Sequence, residues 1–434
     1  MIGSLVADYL TDAIQDAASD TSGSLAEYIP ELANARPQNL AAAFAMADGT
    51  VHGAGDVDVP FTIQSISKPF VYALALAERG FDEVLRKVGV EPSGEAFNQI
   101  SLEVGTGRPF NPMINAGALA THALIGPSGG DAHERAQRVV DGLSAFAGRR
   151  LVVDESVCSS EMETAHRNLA IAHMLRSYGI LEEDPRAVVD GYIRQCSVLV
   201  TTRDLAMMAA TLANHGRHPL TSEQIVDESV VRQVLSVMAT CGMYDAAGDW
   251  VTQVGIPAKS GVAGGLIGAL PGQVGIATFS PRLDRHGNSV RGVNLFHRFS
   301  SDMGLHLMSV PPASRAVVRS HRIVGDGADV IRVLQLQGGI RFAGAERIVR
   351  EVADASPGEH TVALDLTLVS SIDDVAQRML VELARRLTID GCRVILIDPE
   401  SVVSETHLAD AGSIDVVPRL LLASADEDRL TARM

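Results

Sequence analysis

The first twenty residues, MIGSLVADYLTDAIQDAASD, interleave apolar and acidic positions at helical spacing and carry no basic leader, so they predict an amphipathic helix and not a secretion signal. Between about Ala116 and Gly216 the helical period dominates. RNLAIAHMLRSYG and TTRDLAMMAATLANHG each set apolar residues three and four apart and close on glycine, a common helix stop. From Val254 to Val293 the pattern changes to short β-branched runs punctuated by glycine, which predicts antiparallel strands and tight turns. A helical cluster beside an antiparallel sheet is the expected layout.

A second pattern follows the prolines, arginines and glycines between Met308 and Gly327, which read as a linker with a boundary near residue 315. VIRVLQLQG, TVALDL and RVILID read as strands, and Asp374 to Ile389, closed by Gly391, as a helix. Strand, helix and strand in that order suggest a small α/β domain with a parallel crossover. The expected division is a first domain over 1–310, a linker over 311–325, a second domain over 326–420 and a polar tail over 421–434. The fold class is α/β, multidomain.

Composition narrows the function. The 434 residues are 46% hydrophobic and 21% charged, the balance of a globular chain that buries a large core. A net charge of −17 repels nucleic acid and anionic membrane surfaces, and no apolar run approaches the length of a membrane span. The expectation is a cytoplasmic protein with neither partner. Cys158, Cys196, Cys241 and Cys392 lie 38, 45 and 151 residues apart, without the paired spacing of a zinc site or redox dithiol. The 13 histidines show no ligand spacing either, so no metal is assigned.

Of the 36 basic residues 33 are arginine, leaving three lysines: Lys68, Lys87 and Lys259. A desolvated lysine, unlike arginine, can lose its proton and act as a base. Lys68 stands in FTIQSISKPF, where Pro69 tolerates only the start of a helix, so the helix begins near Ser65. Ser65 then sits at a helix N-terminus with Lys68 one turn on, a nucleophile beside its base. Ser-x-x-Lys arises often by chance. Here it is joined by Lys259-Ser260-Gly261 on a Gly-rich strand, the partner element of serine acyl-transfer enzymes of the β-lactamase and penicillin-binding type. Gly261 would let a substrate approach, and the N–H groups of Val262 and Ser65 could meet an oxyanion.

In SEMETAHRN, Glu161 and Asn168 are seven apart, which on one continuous helix puts them on a shared face. A carboxylate paired with an amide suits a zwitterionic amino acid, although such a pair can equally be a solvated face. Asn115 in FNPMINAGA enters an apolar helix, as a ligand contact or a helix cap. Three of the six tyrosines fall in compact motifs, Tyr28 in AEYIPEL, Tyr192 in GYIRQCS and Tyr244 in TCGMYD, and a phenol near a lysine can relay a proton.

The text AEYIPELA, FTIQSISKPF, RPFNPMINAGA, SSEMETAHRNLAIAHML, GYIRQCSVLVTTRDLAMMAATLANHG, MYDAAGDW and PAKSGVAGGLIGALPGQVGIATFSP resembles, in order, the serine-dependent glutaminase family, related in fold to serine β-lactamases. The resemblance implies hydrolysis of L-glutamine to L-glutamate and ammonia through a covalent glutamyl-enzyme intermediate, with no cofactor. It implies Ser65 as nucleophile, Lys68 as base, and the N–H groups of Ser65 and Val262 as oxyanion hole. It further implies Tyr28, Gln64, Asn115, Glu161, Asn168, Tyr192 and Tyr244 as the substrate lining, with Tyr192 or Tyr244 passing a proton to the ammonia. Members are usually homodimers or homotetramers. VALDLTLVSSIDDVAQRMLVELARRLTIDGCRVILID resembles a STAS domain, which implies a protein partner; its helix opens Asp373-Asp374-Val375 in place of the phosphorylatable serine of regulatory members. Two alternatives stand beside the glutaminase: a penicillin-type acyl hydrolase, and a glutamine-binding sensor whose decayed catalytic domain signals through the STAS-like domain.

Overall fold

In the segment Ala41–Met46 every other side chain belongs to a different core. Ala41, Ala43 and Ala45 face one apolar cluster while Ala42 and Phe44 face another, the period of two that a strand buried on both sides requires. The computed structural model describes residues 5–93, 102–309, 317–325, 330–353, 361–404 and 414–419. The chain divides into two units, Met1–Ser309 and Val310–Met434.

In the first unit five antiparallel strands run in the order Val51–Gly55, Ala41–Met46, Val274–Phe279, Gly265–Leu270 and Ala258–Ser260. The Leu5–Ala17 and Val290–Met303 helices cover one face, where Leu10, Phe44, Leu266, Ile276, Phe296 and Phe299 form a core. Of the remaining helices, Thr202–Ala213 lies on the opposite face and shares a core with Ser67–Arg79, Ala132–Ala147 and Glu228–Cys241. Aspartates cap three of them, Asp131, Asp154 and Asp184, and Thr201 with Asp204 closes a reciprocal capping box. A small sheet of Phe61–Thr62, Val198–Val200 and Val152–Val153 ties the helical cluster to the segment carrying Ser65. This is the predicted fold class, an antiparallel sheet flanked by helices.

One predicted feature fails here. Glu161 and Asn168 do not share a continuous helix: Glu155–Glu163 ends at Thr164, and His166–Ser177 starts anew after Ala165. Apolar spacing carries no signal for such a break, because both halves keep the helical period.

The second unit is a five-stranded sheet in chain order, Val318–Val324, Ile331–Ile340, Thr361–Ile372, Arg393–Ile397 and Ile414–Val417. Its first pair is antiparallel and the rest parallel. The Phe342–Ala353 and Asp374–Ile389 helices pack on it around Leu334, Ile348, Leu364 and Leu380. Val318–Val324 was expected within the linker but forms an edge strand, and its charged positions, VRSHRIV, disguise it as edge strands commonly are. The Phe342–Ala353 helix was not anticipated either. Residues 311–316 of the expected linker and the whole tail 421–434 lie outside the described residues. Among the described residues no helix is long and apolar enough to cross a membrane.

The Thr202–Ala213 helix lies directly on the sheet backbone, because a Cβ at Gly275 would come within 2.1 Å of Ala210 N and 2.4 Å of Ala206 O. Gly275→Ala is expected to lower unfolding stability by about 3 kcal/mol, read by urea denaturation; a loss indistinguishable from zero would mean the helix is free to withdraw.

Candidate active site

The strand Phe61–Thr62 leads into a single tight turn, Gln64–Ile66, which runs on as the helix Ser67–Arg79. Pro69 is the third residue of that helix, where a missing N–H costs nothing, and this fixes Ser65 in the turn at its start. Gln64, just before Ser65, has φ +51°, a left-handed conformation that costs a non-glycine residue on the order of 1 kcal/mol. Its side chain holds the turn, donating from Nε2 to Thr62 Oγ1 and to Glu161 Oε1, each at 3.2 Å.

Lys68 is fully buried, and its Nζ donates to Asn115 Oδ1 at 2.7 Å and Met113 O at 3.1 Å. Burial lowers its pKa to about 7, because an ammonium far from water loses its hydration. Asn115 opens the helix Asn115–Ala123, and with Oδ1 turned to the lysine its Nδ2 donates to Asn168 Oδ1 at 3.0 Å. The Tyr192 hydroxyl reaches the same Asn115 Oδ1 at 3.4 Å. Asn115 is thus the junction between the lysine and the ligand space.

Lys259 comes from the edge strand Ala258–Ser260 and is equally buried. Its Nζ donates to Tyr244 Oη at 2.7 Å and to Ser260 O at 2.7 Å. Burial, helped by the nearby charge of Lys68, drives its pKa well below the ordinary lysine range. The Tyr244 hydroxyl also donates to Ser260 O at 3.5 Å, and burial pushes the phenol up to about 12 although the nearby Ser65 side chain lowers it. Tyr244, like Gln64, has positive φ, at +58°. Two strained residues therefore flank one hydroxyl.

Tyr28, Gln64, Ser65, Asn115, Glu161, Asn168, Tyr192 and Val262 line one cavity of about 340 Å³. Glu161 accepts from Tyr28 Oη at 2.8 Å on the same oxygen that takes Gln64, and burial raises its pKa against those two bonds. Although the helix breaks between them, Glu161 and Asn168 face this cavity together. Gly261 follows the lysine strand; a Cβ there would sit 3.1 Å from Ile63 O, so the strand edge lies against the serine turn and brings Val262 to the cavity.

Sequence reasoning left out Thr164, Ala165, Arg167, Ile193 and Cys196, which also line the cavity. Cys196 stands four residues after Tyr192 on one helix, a spacing that signals a shared face. Lys259 was singled out as a motif, yet nothing in its spacing tied it to Tyr244.

A serine turn with a buried lysine, faced by a strand carrying lysine, serine and glycine, defines the class of serine β-lactamase-like enzymes. A family model described as glutaminase matches residues 23–308, and a STAS-domain model matches 323–425. The chain is 50% identical to a glutaminase of Corynebacterium glutamicum over 93% of its own length and 97% of the relative's. The crystal structure of Mglu, solved also in a glutamate form, superposes with a TM-score of 0.86 at 50% identity, covering 93% of this chain and 100% of that one. A probable glutaminase of Bacillus subtilis covers 70% of the chain and 98% of its own, with TM-score 0.65 at 35% identity. This chain belongs to the glutaminase family and carries a C-terminal STAS domain.

With only three lysines, NMR of the protein labelled at lysine Cε resolves the site directly. The Lys68 signal should titrate near pH 7, and that of Lys259 should also move well below the usual value of about 10.4. Both titrating at the usual value would contradict the burial described.

Proposed function

We propose that this chain hydrolyses L-glutamine to L-glutamate and ammonia, with Ser65 as nucleophile and Lys68 as its base. The observation that carries the reading is the buried Lys68 amine one turn after Ser65, lowered to about 7 and so available as a base at neutral pH. The cavity supports the substrate: the Glu161 carboxylate takes the α-ammonium, and Tyr28, Gln64, Asn168 and Tyr192 supply neutral hydrogen-bonding groups around it.

In the first half-reaction the Ser65 proton passes to Lys68 as Oγ attacks the side-chain amide carbon. The oxyanion forms against the N–H groups of Ser65 and Val262. The C–N bond breaks, and the leaving nitrogen takes the proton of Tyr244, whose phenolate is left beside Lys259 Nζ. Tyr244 is favoured as the relay because its hydroxyl accepts from Lys259 Nζ and lies near Ser65, whereas Tyr192 is engaged by Asn115. Water then attacks the glutamyl ester and gives one proton to Tyr244, the C–Oγ bond breaks as Ser65 recovers its proton from Lys68, and the new carboxyl group loses its remaining proton to solvent. Each group ends as it began.

In a coupled ammonia assay Ser65→Ala should show no turnover, and Lys68→Arg should lose about 10²–10⁴-fold in kcat, since guanidinium cannot accept the proton. Protonated Lys68 is inactive, so kcat/KM should rise with pH through about 7. Undiminished turnover by Ser65→Ala, or a profile flat from pH 6 to 8, would refute the dyad. Tyr244→Phe should lose far more kcat than Tyr192→Phe; the reverse order would move the relay to Tyr192.

A further inference from the structure

Beside the serine turn, three buried polar side chains from three helices meet in a line. His122, Gln195 and Ser67 are each no more than 1% exposed. The Ser67 hydroxyl donates to Gln64 O at 2.7 Å, Gln195 Nε2 donates to Ser67 Oγ at 3.0 Å, and His122 Nδ1 lies 3.0 Å from Gln195 Oε1.

The direction of every bond is forced from one end. A carbonyl only accepts, so the Ser67 proton points at Gln64 O; the serine oxygen must then accept from the glutamine NH₂; the glutamine oxygen must face the histidine; and His122 must donate from Nδ1. Burial lowers the His122 pKa to about 4, so at neutral pH the ring carries one proton, and it lies on Nδ1. Room for the ring is made by Gly191, one turn before Gln195 on the same helix, where a Cβ would stand 2.4 Å from His122 Nε2. The Ser67 backbone N–H gives Gln64 O a second donor.

The line ends on the carbonyl of the residue with φ +51°, and that carbonyl shares its peptide plane with the N–H of Ser65. In a trans peptide the two point in opposite directions, so whatever fixes the Gln64 carbonyl also fixes the direction of the Ser65 N–H. Donors on the carbonyl also polarise the peptide and strengthen its N–H as a donor. We propose that His122, Gln195 and Ser67 form a positioning chain that aims the Ser65 N–H at the developing oxyanion. None of the three lines the cavity, so each acts through the Gln64–Ser65 peptide. The inference rests on Ser65 being the nucleophile and its N–H an oxyanion donor.

The test compares His122→Phe, Gln195→Met and Ser67→Ala with the parent, reading those variants whose melting temperature stays within a few degrees of it. The chain predicts a kcat lower by about tenfold to a hundredfold with KM for glutamine unchanged, because an ill-aimed oxyanion donor costs the transition state alone. Inhibition by a glutamate analogue with boronic acid in place of the side-chain amide, whose tetrahedral adduct puts an oxygen in the oxyanion position, should weaken by the same factor. Inhibition by L-glutamate should not change. His122→Asn, whose amide nitrogen can stand in for Nδ1, should recover most of the loss. Folded variants with parental kcat, or with boronate and glutamate weakened equally, would overturn the positioning chain. Ser65→Ala is run alongside: if it still turns over glutamine, the nucleophile assignment falls and the chain's purpose falls with it.

Discussion

Taking an ammonium out of water costs several kcal/mol, and the first unit buries two lysine amines completely, Lys68 and Lys259. The cost is avoided by giving up protons, which is why both pKa values fall. Neutral amines still need hydrogen bonds, and each finds oxygens that do not restore its charge: a carbonyl and an amide for Lys68, a carbonyl and a phenol for Lys259. The charge of one lysine opposes charge on the other, so protons placed on this pair are mobile. The cavity next to them is lined mainly by neutral groups, and its charged side chains are Glu161 and Arg167.

Bringing the two lysines together demands that a strand edge lie on a turn almost two hundred residues earlier in the chain. Small residues make the approach possible. A Cβ at Gly265 would strike Ile66 and Phe61 at 2.7 and 2.8 Å, and one at Gly261 would crowd Ile63 and Ile66. Phe61 stacks on Phe279 at 4.0 Å between centroids and pins the strand before the serine turn to the central sheet. The turn itself is strained, and a strained conformation persists only where its surroundings over-determine it; Gln64 is held by its amide on one side and by the Ser67 hydroxyl on the other.

Much of this was legible in one dimension. Pro69 dated the start of the serine helix, glycine marked helix ends at Gly179 and Gly216, and the β-branched, Gly-punctuated run after Val254 became antiparallel strands as far as Phe279, while its expected end at Val290–Val293 opens a helix. Of the residues expected to line the ligand site, all but Tyr244 line a single cavity. What misled was local. The break at Thr164–Ala165 interrupts no apolar period, the edge strand Val318–Val324 is too charged to look like one, and nothing near His122 or Gln195 in the chain points to Ser67.

The sequence by itself determined the family, the fold class and the starts of many elements, because helix and strand periods, proline, glycine and capping side chains act over a few residues. Only the tertiary structure decided which groups meet: Lys259 with Tyr244, Asn115 with Lys68, and the buried line from His122 to Gln64. Desolvation and hydrogen-bond direction depend on every neighbour at once, and those neighbours come from segments that share no local pattern.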